Sequence, residues 1–477
     1  MYEDLALYID GEWCQGSTGD SEDVINPATE KVLGVLPHAS PADLDRALDA
    51  ADRGFRTWRA VKPLERAGIL KRVGELIRAR ADHIARIMTL EQGKPLPESL
   101  AEVQITADSY EWAAEECKRT YGRIIPSRFD GTRMMAVYQP IGPVAAFSPW
   151  NFPALMPGRK VATALAAGCS VIVKPAEETP GTAIAIVRLC EEAGVPKGVV
   201  NVVFGVPAHV SEHLIRSPVI RKISFTGSIP VGKHLAKMAA EGMKKVTMEL
   251  GGHSPVVVFD DVDVETVARV TAVAKYRNAG QVCISPSRFY VHDSVHDGFV
   301  EKFVEISRSL KLGDGLDDAT RMGPMANPRR IDAMEDFVAD ARDHGAKVRC
   351  GGARQGNQGF FFEPTVLTDV PDDAKVMQLE TFGPLAPIVR FESFDEVVER
   401  ANSLPYGLAA YAFTKSSHRA MDIADALEAG MVAVNSMIVA SPETPFGGVK
   451  ESGVGHEAGI EGVLEHMVIK MISQTGA

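Results

Sequence analysis

The chain has 477 residues, 45% of them hydrophobic and 24% charged, and a formal net charge of −12. Those proportions belong to an ordinary globular protein long enough for two or three domains, and an acidic chain without a Lys/Arg run is a poor match for nucleic acid. Its six cysteines, at positions 14, 117, 169, 190, 283 and 350, are too scattered for a CxxC pair, a Cys/His metal pattern or a disulfide framework, so no metal and a reducing, cytoplasmic setting are expected.

The first residues, Met-Tyr-Glu-Asp-Leu, lack the basic and apolar regions of a signal peptide. Met134–Gly158 is uncharged throughout, but prolines at 140, 143, 149, 153 and 157 rule out a spanning helix, and no membrane association is expected.

In chain order, Ala6–Ile9 reads as a short strand, followed by a turn at Asp10-Gly11 and loop up to Ser40. Ser40-Pro41-Ala42-Asp43 has the form of a capping box with proline at the first helical position, opening a helix through Phe55. Pro63 to about Thr120 is helical in pattern, interrupted at Gly93–Pro97, with a Leu70, Val73, Leu76, Ile77 apolar stripe. From Pro143 the chain alternates. Strands are predicted at Val144–Phe147, Val171–Val173, Val199–Phe204, Lys222–Phe225 and Val246–Leu250, with helices between them. A second alternating unit has strands at Val256–Phe259, Arg288–His292, Leu408–Phe413 and Met431–Val434, and helices at Val264–Ala279, Val295–Lys311, Asn327–His344 and Phe394–Leu404. Such alternation implies parallel α/β sheets, which bind ligands at the carboxyl ends of their strands. The tail Val463–Ser473 alternates apolar and polar residues and is suited, like Thr132–Val137, to extending a partner's sheet.

Several short patterns carry chemistry. Cys283 sits in a small-residue stretch, Arg277–Ser287, where backbone amides can approach a sulfur and stabilise a thiolate and an oxyanion; the bland alternative is a buried structural thiol. Gly227–Gly232 follows a strand and opens a helix, a place for a phosphate. Lys174 with Glu177 suits a ribose, since lysine donates to hydroxyls and carboxylate accepts from them; an unremarkable ion pair is the alternative. Glu249 ends a strand beside Gly251-Gly252, and burial there would raise its pKa toward that of a general base. His253 is a second, weaker base candidate inside the same turn.

Taken together the motifs resemble those of NAD(P)-dependent aldehyde dehydrogenases over essentially the whole chain. They occur in family order: Phe147-Ser-Pro-Trp-Asn-Phe-Pro153, Lys174-Pro-Ala-Glu177, Phe225-Thr-Gly-Ser228, Met248-Glu-Leu-Gly-Gly252, Gly280-Gln-Val-Cys283, Glu380-Thr-Phe-Gly-Pro384 and Pro445-Phe-Gly-Gly-Val-Lys450. The resemblance implies Cys283 as nucleophile, Asn151 as oxyanion donor and Glu249 as the base that activates water. It implies cofactor contacts from Trp150, Lys174, Glu177, Gly227, Ser228, Glu380 and Phe382. Ile229 and Pro230 depart from the commoner Gly-Ser-Thr turn, which removes a hydroxyl and an amide at the phosphate. Glu177 would repel a 2′-phosphate, so NAD is expected over NADP.

Arg159, Arg277 and Ser441 stand where succinate-semialdehyde dehydrogenases bind the distal carboxylate of the substrate, and that substrate is the first expectation; another semialdehyde such as glutarate semialdehyde, or a simple aldehyde, is the alternative. Ser285 stands where some of those enzymes carry a regulatory second cysteine, so that switch is not expected. Glu249 argues against an acylating enzyme, and its presence with Cys283, Asn151 and Lys174 argues against a non-catalytic scaffold. The resemblance also implies an α/β fold in three parts. A Rossmann-type cofactor domain takes residues 1–118 and 140–248, a catalytic domain 249–434, and an oligomerisation arm with C-terminal tail 119–139 and 435–477, in a homodimer or homotetramer.

Overall fold

The computed structural model describes residues 2–476. The capping box forms as its residues dictate: the Ser40 hydroxyl accepts from the Asp43 amide at 3.2 Å, and the Asp43 carboxylate accepts from the Ser40 amide at 3.0 Å. With Pro41 at its first position, the helix runs Pro41–Trp58. The region before it is not all loop. It holds strand Glu12–Cys14 and a hairpin of Ser21–Ile25 with Val32–Pro37. The exposed Ser21, Glu22 and Asp23 hide the strand pattern, because only Val24 of that strand is buried in the core.

Two sheets organise the rest. Across the first, the order is Glu12–Cys14, Leu7–Ile9, Val200–Val202, Val171–Lys174, Val144–Phe147, Lys222–Gly227, Lys245–Leu250 and Gly453–Val454. Its five central strands are parallel and its edges antiparallel. Helices bury both faces, which is why these strands read as continuous Val, Ile and Ala runs. From Val144–Phe147 the chain proceeds outward through two strands, then returns to the other side with Lys222–Gly227. That reversal places a switch point between Phe147 and Gly227.

The second sheet runs Lys347–Cys350, Thr365–Thr368, Leu385–Phe391, Arg288–His292, Pro255–Val258, Ala409–Phe413 and Met431–Val434, parallel except at its first pair. Each sheet has its own buried apolar cluster, and the chain crosses between them at Gly251–Ser254. Thr365–Thr368 and Leu385–Phe391 were not among the expected strands. Both are only four to seven residues long and fully paired inside the sheet, so they lack an alternating signature.

Two further departures bear on the site. The helix expected through Ala279 ends at Tyr276, and Arg277–Gly280 is a tight turn in which Asn278 (φ 50°) and Ala279 (φ 52°) are left-handed. The stretch 435–464 does not belong with the arm: Phe446 and Ala458 are buried in the second cluster, and Gly453–Val454 pairs with Lys245–Leu250. The arm itself is a three-stranded sheet in which Thr132–Pro140 lies between Met467–Thr475 and Arg123–Ile125. The tail therefore pairs within its own chain, and its other edge is unpaired among the described residues. No helix among the described residues is long and apolar enough to cross a membrane.

Candidate active site

The two sheets face one cleft with opposite ends. The first contributes the carboxyl ends of its strands: Pro149, Trp150 and Asn151 beyond Phe147, Thr226 to Ser228 at the end of Lys222–Gly227, and Glu249 to Gly251 at the end of Lys245–Leu250. The second contributes the amino side of its strands. Cys283 precedes Arg288–His292, and Glu380 and Phe382 precede Leu385–Phe391. All these residues line a single cavity of about 510 Å³, together with Met156, Asn327, Arg329 and Arg330. Ligands collect at the switch point of an open α/β sheet, and here that point opens onto a thiol from the other sheet.

Cys283 is half-buried, and burial pushes its thiol up to about 12; the Glu380 and Glu249 carboxylates push the same way, while Arg159 and Arg277 oppose them. Asn151 is buried; its Nδ2 donates to the Gln281 carbonyl at 3.0 Å, leaving its second N–H for a ligand. Glu249 is 2% exposed and neither carboxylate oxygen has a hydrogen-bond partner. Burial holds its pKa well above the ordinary carboxyl range, reinforced by the neighbouring Glu457 and opposed by Lys160 and Arg159.

Sequence reasoning missed that neighbourhood. Lys160 is ion-paired with Glu457 and donates to Ser224 Oγ at 3.1 Å, all of it buried beside Glu249. Glu457 lies in a glycine-rich segment 297 residues from Lys160, and nothing in the spacing pairs them. Arg330 was missed as well. It donates to the carbonyls of Thr381 and Phe382, the latter a bulky residue at φ 45°, and so braces a backbone turn that side chains of this size rarely adopt.

Lys174 ends its strand and is ion-paired with Glu177 just outside the cavity lining; the Ser148 amide donates to the Lys174 carbonyl at 3.2 Å. Glu380 is deeply enclosed. Burial raises it to about 7 although the Gly252 amide donates to it at 3.3 Å and Arg330 and Lys275 lie nearby. Phe382 and Trp150 meet edge-to-face at 5.5 Å. At Gly251 an added Cβ would come within 2.3 Å of Glu380, so the crossing must be glycine for that carboxylate to keep its place. The cavity, the helix opening after Ser228 and the enclosed Glu380 carboxylate fit a dinucleotide.

Arg159, Arg277 and Ser441 lie off this lining. Arg159 is 5% exposed, stacked 4.8 Å over Phe446 and 3.8 Å from Glu457, with Nε and Nη1 making no hydrogen bond. Arg277 is exposed and 5.5 Å from the Phe152 ring. Ser441 heads the loop that leads to Phe446 and is half-buried; its amide donates to Thr444 Oγ1 at 3.1 Å. The two guanidiniums have separate partners, and both act electrostatically on Cys283. His253 is not at the site: it is buried against the Val376 carbonyl at 3.1 Å, and burial holds it well below the ordinary histidine range. No group of three metal-ligating side chains occurs among the described residues.

A thiol, an unpartnered carboxylate and an amide donor thus share one dinucleotide-sized cleft. The aldehyde dehydrogenase family profile matches residues 13–472, and the chain belongs to that family, which uses NAD(P). It is 44% identical to the succinate-semialdehyde dehydrogenase [NADP(+)] of Escherichia coli strain K12, over 98% of this chain and 97% of that one. It is 43% identical to the glutarate-semialdehyde dehydrogenase of Pseudomonas putida strain KT2440, over 98% and 96%. The crystal structure of succinate-semialdehyde dehydrogenase from Burkholderia pseudomallei superposes with a TM-score of 0.98 at 43% identity, covering 99% of this chain and 98% of that one.

Proposed function

We propose that the protein oxidises a semialdehyde bearing a distal carboxylate, succinate semialdehyde first and glutarate semialdehyde second, to the dicarboxylic acid. The observation that carries the chemistry is the meeting of Cys283, Asn151 and Glu249 on one cavity wall. Cys283 adds to the aldehyde carbon to give a thiohemiacetal, and the Asn151 amide with the Cys283 backbone N–H holds the oxyanion. NAD(P), when bound, accepts the hydride, which leaves a thioester on Cys283. Glu249 then draws a proton from water, which attacks the thioester and releases the acid. Its raised pKa and lack of partners make it a stronger base than an ordinary carboxylate. Lys174 and Glu177 hold the adenine-side ribose, Glu380 the nicotinamide ribose, Trp150 and Phe382 flank the ring, and Gly227 and Ser228 face the pyrophosphate. A free thiol nucleophile suits a reducing, cytoplasmic setting.

The substrate reading is supported by the names of the relatives and by Arg159. A buried guanidinium with two unsatisfied nitrogens is costly unless an anion completes it. A panel of aldehydes varying in length and distal charge tests this. Arg277→Ala is expected to raise KM for succinate semialdehyde by roughly tenfold or more and to leave butanal unchanged. Equal effects on both aldehydes would make the arginine structural.

NAD is the proposed cofactor, on the strength of Glu177, even though the Escherichia coli relative carries NADP(+) in its name. A larger kcat/KM with NADP would refute it. A homodimer or homotetramer built on the arm completes the reading: the Met467–Thr475 strand, paired with Thr132–Pro140 on one edge only, exposes Val468, Ile469 and Met471. Sedimentation as a monomer at micromolar concentration would refute that part.

A further inference from the structure

The loop that carries Asn151 lies between a strand and a helix and contains two prolines, Pro149 and Pro153, so regular hydrogen bonding does little to fix it. Its support comes from the side. The Asn151 carbonyl accepts from Lys94 Nζ at 2.7 Å and from Asn278 Nδ2 at 3.0 Å. Lys94 in turn donates to Glu102 Oε2 at 2.5 Å, and both side chains are 1% exposed. The other oxygen of Glu102 accepts the amides of Ala154 and Leu155, at 2.9 and 3.1 Å. The helix Leu155–Ala167 has no cap from its own N-cap residue, Ala154, so a glutamate from the Leu96–Glu116 helix caps it instead.

Neither Lys94 nor Glu102 lines the cavity itself. A buried lysine–glutamate pair also does little for stability compared with well-packed apolar side chains, because both charges must leave water. What the pair does hold is the backbone on either side of Asn151: the carbonyl of that residue through Lys94, and the amides three and four residues later through Glu102. Gly93 brings Lys94 to this position. It ends the preceding helix at φ 94°, and a Cβ there would strike Pro324 at 2.6 Å and Pro27 at 2.9 Å. Asn278 extends the hold to the nucleophile turn, since the same Nδ2 reaches the Gln281 carbonyl at 3.3 Å and its Oδ1 accepts from Gln92 Nε2 at 2.8 Å.

We propose that the buried Lys94–Glu102 pair positions the oxyanion donor, fixing the Asn151 backbone so that its side-chain amide meets the carbonyl oxygen of the substrate at Cys283. The inference rests on the role given to Asn151 above. Lys94 and Glu102 are positioning residues, not catalytic ones. They act on kcat through Asn151 and leave aldehyde and cofactor binding alone.

A double-mutant cycle tests it on the full-length enzyme with succinate semialdehyde and saturating NAD. Lys94→Met with Glu102→Gln removes both charges at once, so no lone charge is buried. Lys94→Met alone, which frees the Asn151 carbonyl but leaves the Glu102 carboxylate accepting the Ala154 and Leu155 amides, is the second variant should the first not fold. Either is expected to lower kcat about tenfold or more with KM for both substrates within twofold, and to leave the rate of Cys283 alkylation by iodoacetamide unchanged. In an Asn151→Ala background the same change should lower kcat less than twofold, because the group being positioned is gone. Losses that multiply in full, or a fall in alkylation rate matching the fall in kcat, would overturn the proposal and make the pair merely structural. If Asn151→Ala by itself leaves kcat intact, the oxyanion role of Asn151 fails first, and the two failures are told apart.

Discussion

The two sheets contribute to the cleft in different ways. The first offers strand ends that pass into helices through Pro- and Gly-rich turns, such as Gly227-Ser228 before the helix Ile229–Glu241. Its contribution is mostly backbone and ribose-sized polar groups. The second sheet offers loops that enter strands, and on them sit a thiol at Cys283 and an enclosed carboxylate at Glu380. Expecting ligands at the carboxyl ends of parallel strands holds for the first sheet only. On the second it is the amino edge that faces the cleft, because the chain crosses over at Gly251–Ser254 and presents that sheet from the other end. Glu249 is the exception that joins them: it belongs to the first sheet but lines the same cavity as the thiol of the second.

That contrast is open to attack by mutation. Cys283→Ala should abolish turnover, by about 10⁴-fold or more, and leave the Kd for NAD within twofold. A large loss of cofactor binding would erase the division of labour between the sheets. Glu249→Gln is expected to lower steady-state turnover roughly 10²- to 10³-fold while preserving a burst of reduced cofactor near one equivalent. Loss of the burst would place Glu249 before the thioester. In the native protein the base must be ionised, and its pKa is raised, so the hydrolytic step should fail as pH drops through that raised value.

A smaller effect probes Glu380. Burial raises its carboxyl to about 7, so if Glu380 holds a ribose as proposed, its ionised form accepts from the hydroxyls above that pH and its protonated form binds them more weakly below it. The Kd for NAD should rise about tenfold as pH falls from 8 to 6, and Glu380→Gln should flatten the profile. A flat profile in the native protein would remove Glu380 from the ribose. Smallest is Ser40→Ala, remote from the cleft. Losing the cap should cost about 1 kcal/mol in denaturant melts and leave kcat and KM untouched.

How legible the molecule was depends on how local each feature is. The Ser40–Asp43 box and the strands Val144–Phe147 and Lys222–Gly227 are set by neighbours within a few positions, and they could be read directly. The nucleophile turn could not. Asn278 and Ala279 take left-handed backbone because the Asn278 amide is held by Glu98 at 2.8 Å and its side chain by Gln92, residues about 180 positions away. Without those partners the run to Ala279 looks like more helix. Lys160 was hidden for a similar reason: an Ala-rich helix gives no hint that one lysine meets a carboxylate from the chain's last forty residues. The motif residues Cys283, Glu249 and Asn151 were legible as short patterns, whereas the side chains that hold them were not.

The crossing at Gly251 has a consequence for how such a protein can diversify. Its Cβ position is already claimed by Glu380, and that claim ties the Glu249 strand to the Glu380 side of the cleft at one joint. The positions that would read the far end of a substrate lie on other segments: Arg159 on a helix, Arg277 at a helix end, Ser441 on a late loop. Sequence drift at those three can therefore retune which aldehyde is accepted while the joint, and the reaction built on it, stays as it is. Selection for a new substrate should accumulate its changes there and avoid 249–252.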